Sequence, residues 1–180
     1  MRIDRILVII IASALFFSGC GYTAGTLLPD HLKTIHVDNF LNKIDPSTEP
    51  SDKYGYKIYR PGVENEITQA IIDQFIFDGN LRVVKEEEAD LVLTGDLIDY
   101  YQQPLRYSRS DSIEEYRIII TVNMKLMDTV KGVEMWSQKG FIGYDTYRLT
   151  GEYTKTEYDA AIGAIEDLAK KTVEKVVEAW

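Results

Sequence analysis

The chain has one cysteine, two histidines and five prolines among 180 residues. A single cysteine excludes an intrachain disulfide framework and any cysteine-based zinc cluster. Two histidines leave little for imidazole-dependent metal or acid–base chemistry. Cations are in deficit: 20 Lys and Arg stand against 29 Asp and Glu, a formal charge of −9. That balance argues against nucleic acid as a partner, because no cation surplus exists to neutralise phosphates. No apolar run reaches the roughly 20 residues that a bilayer-spanning helix needs. Nucleophile-elbow, P-loop and dinucleotide-binding patterns are absent, so nothing supports an enzyme or a bound cofactor. Tyrosine, in contrast, is abundant at twelve residues. The length is enough to bury a core without staples and corresponds to one domain with a short appendage.

That appendage is the N-terminus. Met1-Arg2-Ile3-Asp4-Arg5 precedes an apolar run over residues 6–17, then Ser18-Gly19 and the lone Cys20. A basic start, a short apolar stretch and small residues describe a secretory signal. The segment resembles the lipobox of bacterial lipoproteins, with Phe17 where Leu is usual. The resemblance implies a diacylglyceryl thioether on Cys20, cleavage before it and an acylated new N-terminus, palmitate being a common chain. Two or more acyl chains make such an anchor stable where one does not. The alternatives are an ordinary cleaved signal with an incidental cysteine, or an uncleaved anchor. Gly21 after the cysteine, in place of Asp, suggests outer-membrane sorting. On this reading residues 1–19 are signal and residues 20–180 are a single α/β sandwich domain. Losing Arg2, Asp4 and Arg5 takes the charge from −9 to −10.

Along the mature chain, Ile35 and Val37 alternate with polar neighbours and predict a strand over residues 33–40. Residues 41–60 contain Pro46, Pro50 and Gly55 and read as a long loop. Val63, Ile67, Ala70, Ile71 and Phe75 share one face of a helix that Pro61-Gly62 opens and Asp78-Gly79 closes. Glu64 and Glu66 suit its first turn. Residues 81–84 form a short strand, followed by a polar break at 85–88. Leu91, Leu93 and Leu97 mark a strand over 90–98, and residues 100–112, with Pro104, read as a turn region. The clearest strand has Tyr116, Ile118, Ile120, Val122, Met124 and Leu126 on one side and mixed residues on the other. A hairpin turn at 128–132 leads to a return strand over 133–144. Thr154 and Glu157 form a capping box for a last helix whose stripe is Tyr158, Ile162, Ile165, Ala169, Thr172 and Val176. The fold class is therefore α+β: a β-α-β-β-β-α two-layer sandwich, with a four-stranded mixed sheet covered on one face by two helices. The other sheet face is left to water or a partner.

Few side chains suggest chemistry. His31 and His36 are five apart and fall on opposite faces of an extended segment, which argues against a metal site. Asp96 and Asp99 read as solvated acids, Glu86-Glu87-Glu88 as a solvated linker, and Met124 and Met127 as packing. Tyr54, Tyr56, Tyr59, Tyr100, Tyr101 and Tyr107 sit in loops or at strand ends, where they serve local packing or docking equally well.

Several short motifs occur in a telling order: Gly19-Cys20-Gly21-Tyr22, then Leu28-Pro29 before Lys33-Thr34-Ile35, then Glu115-Tyr116-Arg117-Ile118-Ile119-Ile120-Thr121-Val122-Asn123. In these the chain resembles the lipopolysaccharide-assembly lipoprotein (LptE) family over essentially its whole mature length. The resemblance implies a protein that plugs an outer-membrane β-barrel translocon of the LptD type, helps it assemble, and binds lipopolysaccharide in transit to the outer leaflet. It also implies a basic residue in the hairpin before the Glu-Tyr strand, a place held by Arg109, and a second before the last helix, for which Lys155 is nearest. Arg106 lies in the same turn region as Arg109 and joins the candidates. Arg109 paired with Asp111 would be an ordinary surface cation instead. With a mature charge of −10, any polyanion site must be a local basic patch.

A different class of function is a periplasmic lipoprotein that activates a cell-wall synthase by contact. Such proteins need a long tether, whereas here about a dozen residues, a reach of roughly 40 Å, separate Cys20 from the first strand. A free-standing lipid carrier would need an enclosed apolar cavity.

Overall fold

The computed structural model describes residues 28–45, 56–57, 60–151 and 154–178. Cys20, the signal segment, Tyr54 and Tyr59 lie outside them. In chain order the elements are β1 (Thr34–Val37), β2 (Leu41–Asn42), β3 (Tyr56–Lys57), α1 (Val63–Asp78), β4 (Arg82–Val83), a short 3₁₀ turn (Glu86–Glu88), β5 (Leu91–Tyr107), β6 (Ile113–Asp128), β7 (Val133–Arg148) and α2 (Glu157–Glu178).

One mixed sheet holds all the strands in the order β4-β1-β5-β6-β7, with β2 and β3 each pairing β5 beside that path. β1 is parallel to β4 and to β5, whereas β5–β6 and β6–β7 are antiparallel. The α+β class and the two helices agree with expectation, but the sheet has seven strands rather than four: the short strand read over residues 81–84 joins it as β4, beside β1. Two of the extra strands, β2 and β3, lie inside the stretch read as a loop. β5 is also far longer than expected: it runs through Tyr100 and Pro104 to Tyr107, paired throughout with β6. A bulge between Leu97 and Asp99 flips the side-chain parity there. Tyr100 thus points inward, 1% exposed, where simple alternation would have ended the strand. Pro104 is tolerated next to a second register shift, between residues 104 and 106.

The sheet's inner face is made by Leu91, Leu93 and Leu97 on β5 and Ile118, Ile120, Val122 and Leu126 on β6, all 0% exposed. α1 adds Val63, Ile67, Ile71 and Phe75. Ala70 is only partly buried; Thr68 is buried instead, its hydroxyl accepting the Phe40 N–H at 3.0 Å and donating to the Glu64 carbonyl at 2.9 Å. Gly79 ends α1 in the left-handed region (φ 76°) with its N–H on the Phe75 carbonyl.

α2 starts two residues later than the expected box. Thr156, not Thr154, is the cap: its hydroxyl accepts the Asp159 N–H at 3.1 Å while the Asp159 carboxylate accepts the Thr156 N–H at 3.2 Å. At this end of the helix Ala160, Ala161 and Ala164 face the core, and Tyr158, expected in the stripe, is 60% exposed. Tyr158 lies under the Arg60 guanidinium, 4.8 Å from its ring centre. From Ile165 onward the expected stripe is buried as read, with Leu168 and Val173 beside it. Small residues let this helix approach: a Cβ on Gly143 of β7 would sit 2.5 Å from the Ala164 carbonyl.

Candidate functional site

The β5–β6 hairpin carries the candidate cations. Its tip, residues 108–112, is organised by Ser108, whose hydroxyl accepts the N–H groups of Ser110 at 3.2 Å and Ser112 at 3.1 Å. Ser108 also donates its own N–H to the Ser112 carbonyl at 2.7 Å, and Asp111 takes the left-handed conformation (φ 57°). These bonds fold the tip as a compact turn and present Arg109 outward. Arg109 is exposed and has no ion-pair partner among the described residues, Asp111 included. Its donors are available to a ligand.

The other two candidates are engaged. Arg106 Nε lies 3.4 Å from Glu115, and Arg148 Nε reaches the second oxygen of the same carboxylate at 3.9 Å. Glu115 is the more enclosed partner, 16% exposed at its side chain. Glu114, Thr150 and these three residues line a small cleft of about 140 Å³. Lys155 Nζ is 3.0 Å from Asp145. Asp145 pairs across from Ile118 and Arg148 across from Glu115. Glu115 and Ile118 are an odd number of residues apart, so Lys155 is anchored on the face opposite the Arg106 cluster. The structure brings Arg106 and Arg109 to one hairpin and places Lys155 elsewhere.

Glu115 and Arg148 were not among the candidates. Each looks like an ordinary strand charge in sequence; only the β6–β7 register makes Glu115 a shared acceptor for two arginines. The open sheet face has a larger cleft of about 700 Å³, with Leu41, Asp96, Asn123, Lys125 and Ser137 among its lining. Asp96 is held there by Lys43 at 2.9 Å, as a solvated acid would be. Met124 is buried and takes a contact from Thr172, consistent with packing. Of the tyrosines, Tyr100 and Tyr101 belong to the buried set while Tyr107 is 51% exposed. His31 Nε2 lies 3.1 Å from Asp128, and His36 Nδ1 lies 3.1 Å from the Val84 carbonyl oxygen. Among the described residues no group of three His, Cys, Asp or Glu could hold a metal, and no helix is long and apolar enough to cross a membrane.

A family model for lipopolysaccharide assembly, LptE, matches residues 32–179, from just before β1 to the end of α2. The chain belongs to the LptE family. Its role is therefore that of a lipoprotein in lipopolysaccharide assembly. No curated protein gives a significant match. Solved structures that the chain matches include a hypothetical protein from Chlamydia trachomatis, 12% identical over 81% of this chain and 95% of that one, TM-score 0.49. A minor lipoprotein from Acinetobacter baumannii is 13% identical over 82% and 91%, TM-score 0.46. Lipoprotein GNA1162 from Neisseria meningitidis is 12% identical over 80% and 97%, TM-score 0.42.

Proposed function

We propose that this LptE-family chain is anchored in the outer membrane through an acylated Cys20, occupies the lumen of an LptD-like barrel, and binds lipopolysaccharide at the β5–β6 hairpin. The observation that carries the ligand assignment is the unpaired Arg109 on an ordered tip. A guanidinium offers a planar fork of donors suited to a lipid A phosphate. Arg106 stands three residues away but is tied to Glu115 at 3.4 Å. Its Nε faces that carboxylate while the side chain is 57% exposed, so it makes the weaker contact of the two. Lys155, paired at 3.0 Å with Asp145 on the other face, makes a secondary contact at most.

Binding of purified lipopolysaccharide to the tagged protein tests this order. Arg109→Asp is expected to weaken binding about tenfold or more, the scale of one charge-assisted contact, with an unchanged far-UV circular dichroism spectrum. Arg106→Ala is expected to cost less, and Lys155→Ala least. Binding that is unaffected by Arg109→Asp removes the hairpin from the site.

A further inference from the structure

The helix layer carries a feature that the hairpin site does not use. Phe77 is 85% exposed and Ile76 64% exposed, both in the last turn of α1. Phe77 closes one end of a groove of about 570 Å³ between α1 and α2. Its lining recurs along both helices, at 70, 73, 74 and 77 on one and at 163, 166, 167, 169 and 170 on the other. The groove therefore runs along both helices. Ala70 brings little side-chain bulk to the lining, Gly163 is packed against Asp145 of β7, and Asp73 and Glu166 supply carboxylates. Lys170 is the only cation in that lining, and it lies 4.0 Å from Glu174.

The surroundings extend this sign. α1 bears Glu64, Glu66, Asp73 and Asp78 and not one Lys or Arg, and no cation stands in its last turn. The helix macrodipole favours a positive charge there. An anionic membrane or a nucleic acid would be repelled. An apolar anchor within an acidic groove fits a cationic amphipathic segment, laid in as a helix is laid in a groove.

We propose that the α1–α2 groove docks a Lys/Arg-bearing amphipathic segment of a protein partner, with aliphatic side chains against Phe77 and Ala70 and cations facing Asp73 and Glu166. Identifying that partner as the barrel rests on the function proposed above; the groove chemistry does not.

The test uses the full chain as wild type, as Phe77→Asp and as the double variant Asp73→Lys/Glu166→Lys. All altered side chains are at the surface or the groove wall, and circular dichroism checks folding. One readout is the anisotropy of a fluorescent synthetic Leu/Lys amphipathic helix. The other is retention of the barrel by the tagged chain in detergent. The peptide should bind wild type and lose about tenfold or more in both variants. Phe77→Asp is the sharper case, because it makes the surface more acidic yet should weaken binding, which simple charge attraction would not do. Equal peptide binding to all three proteins overturns the groove, and the barrel reading survives if the barrel is still retained. Selective peptide binding by a chain that retains no barrel supports the groove and removes the barrel as its occupant.

Discussion

Asp90 ties the start of β5 to β1. Its carboxylate accepts the N–H of Lys33 at 2.9 Å, the N–H of Thr34 at 3.0 Å and the Thr34 hydroxyl at 2.9 Å. The Lys33 N–H is the chief reason its carboxyl titrates below the ordinary range. Asp128 is 1% exposed, and burial alone would push its carboxyl up; the Lys131 N–H at 2.8 Å and His31 outweigh that and hold it low. Both folded values lie below the unfolded ones, so their contribution is present above about pH 4 and is lost as pH falls through the folded values. Asp90→Asn is therefore expected to cost about 1–2 kcal/mol at pH 7, a gap that narrows toward pH 2. Thermal unfolding of both proteins across that range checks it, and a gap that is constant with pH contradicts it. Tyr147 gives a complementary signature at the alkaline end. Burial first, then the negative charge of Glu157, pushes its hydroxyl up to about 12. Burial raises the Tyr100 hydroxyl as well, so ultraviolet titration should show these two tyrosines ionising after the exposed ones. At this scale, the exposure of Arg109 was legible because a turn exposes its residues, while its ligand role came from the family resemblance. The Glu115 clamp was not legible, because Arg106, Glu115 and Arg148 meet only through strand register.

Elements were legible where one periodicity ran unbroken. The inner face of β6 and the core face of α1 were readable for that reason. β5 was not, because its bulge switches parity midway and Pro104 imitates a turn. The cap of α2 was misplaced because two threonines, Thr154 and Thr156, each have an acid three residues on, and only one satisfies the geometry. β7 shows how an edge is guarded: Asp167 accepts the Tyr144 N–H at 3.0 Å, and Lys171 reaches the Ile142 carbonyl at 3.5 Å. Side chains of α2 thus occupy edge positions that another strand would use. The approach depends on Gly143, whose added Cβ would meet helix backbone at 2.5 and 2.8 Å. Backbone cannot swing away as a side-chain tip can. Gly143→Ala is expected to destabilise by about 1–3 kcal/mol, lowering the melting temperature by about 2–10 °C. An unchanged melting temperature would show that α2 shifts freely on the sheet.

At the scale of the molecule, the helix layer is strongly acidic and the proposed anion site is one exposed arginine on a hairpin tip. α1 has four carboxylates and no cation, and α2 has six carboxylates against three lysines. A polyanionic ligand at one end and a cationic partner along the helices are compatible demands on the same net-acidic chain. The overall class was legible because two amphipathic helices and several alternating strands admit few two-layer packings. The strand count was not, since β2 and β3, two residues each within a Pro- and Gly-bearing stretch, carry no periodic signal. On the function proposed above, this LptE-family protein works bound to an outer-membrane barrel. The most direct measurement is gentle detergent extraction of outer membranes followed by purification of the tagged chain. Co-elution of an LptD-like barrel in equal amount is the predicted result; recovery of the chain alone would contradict it.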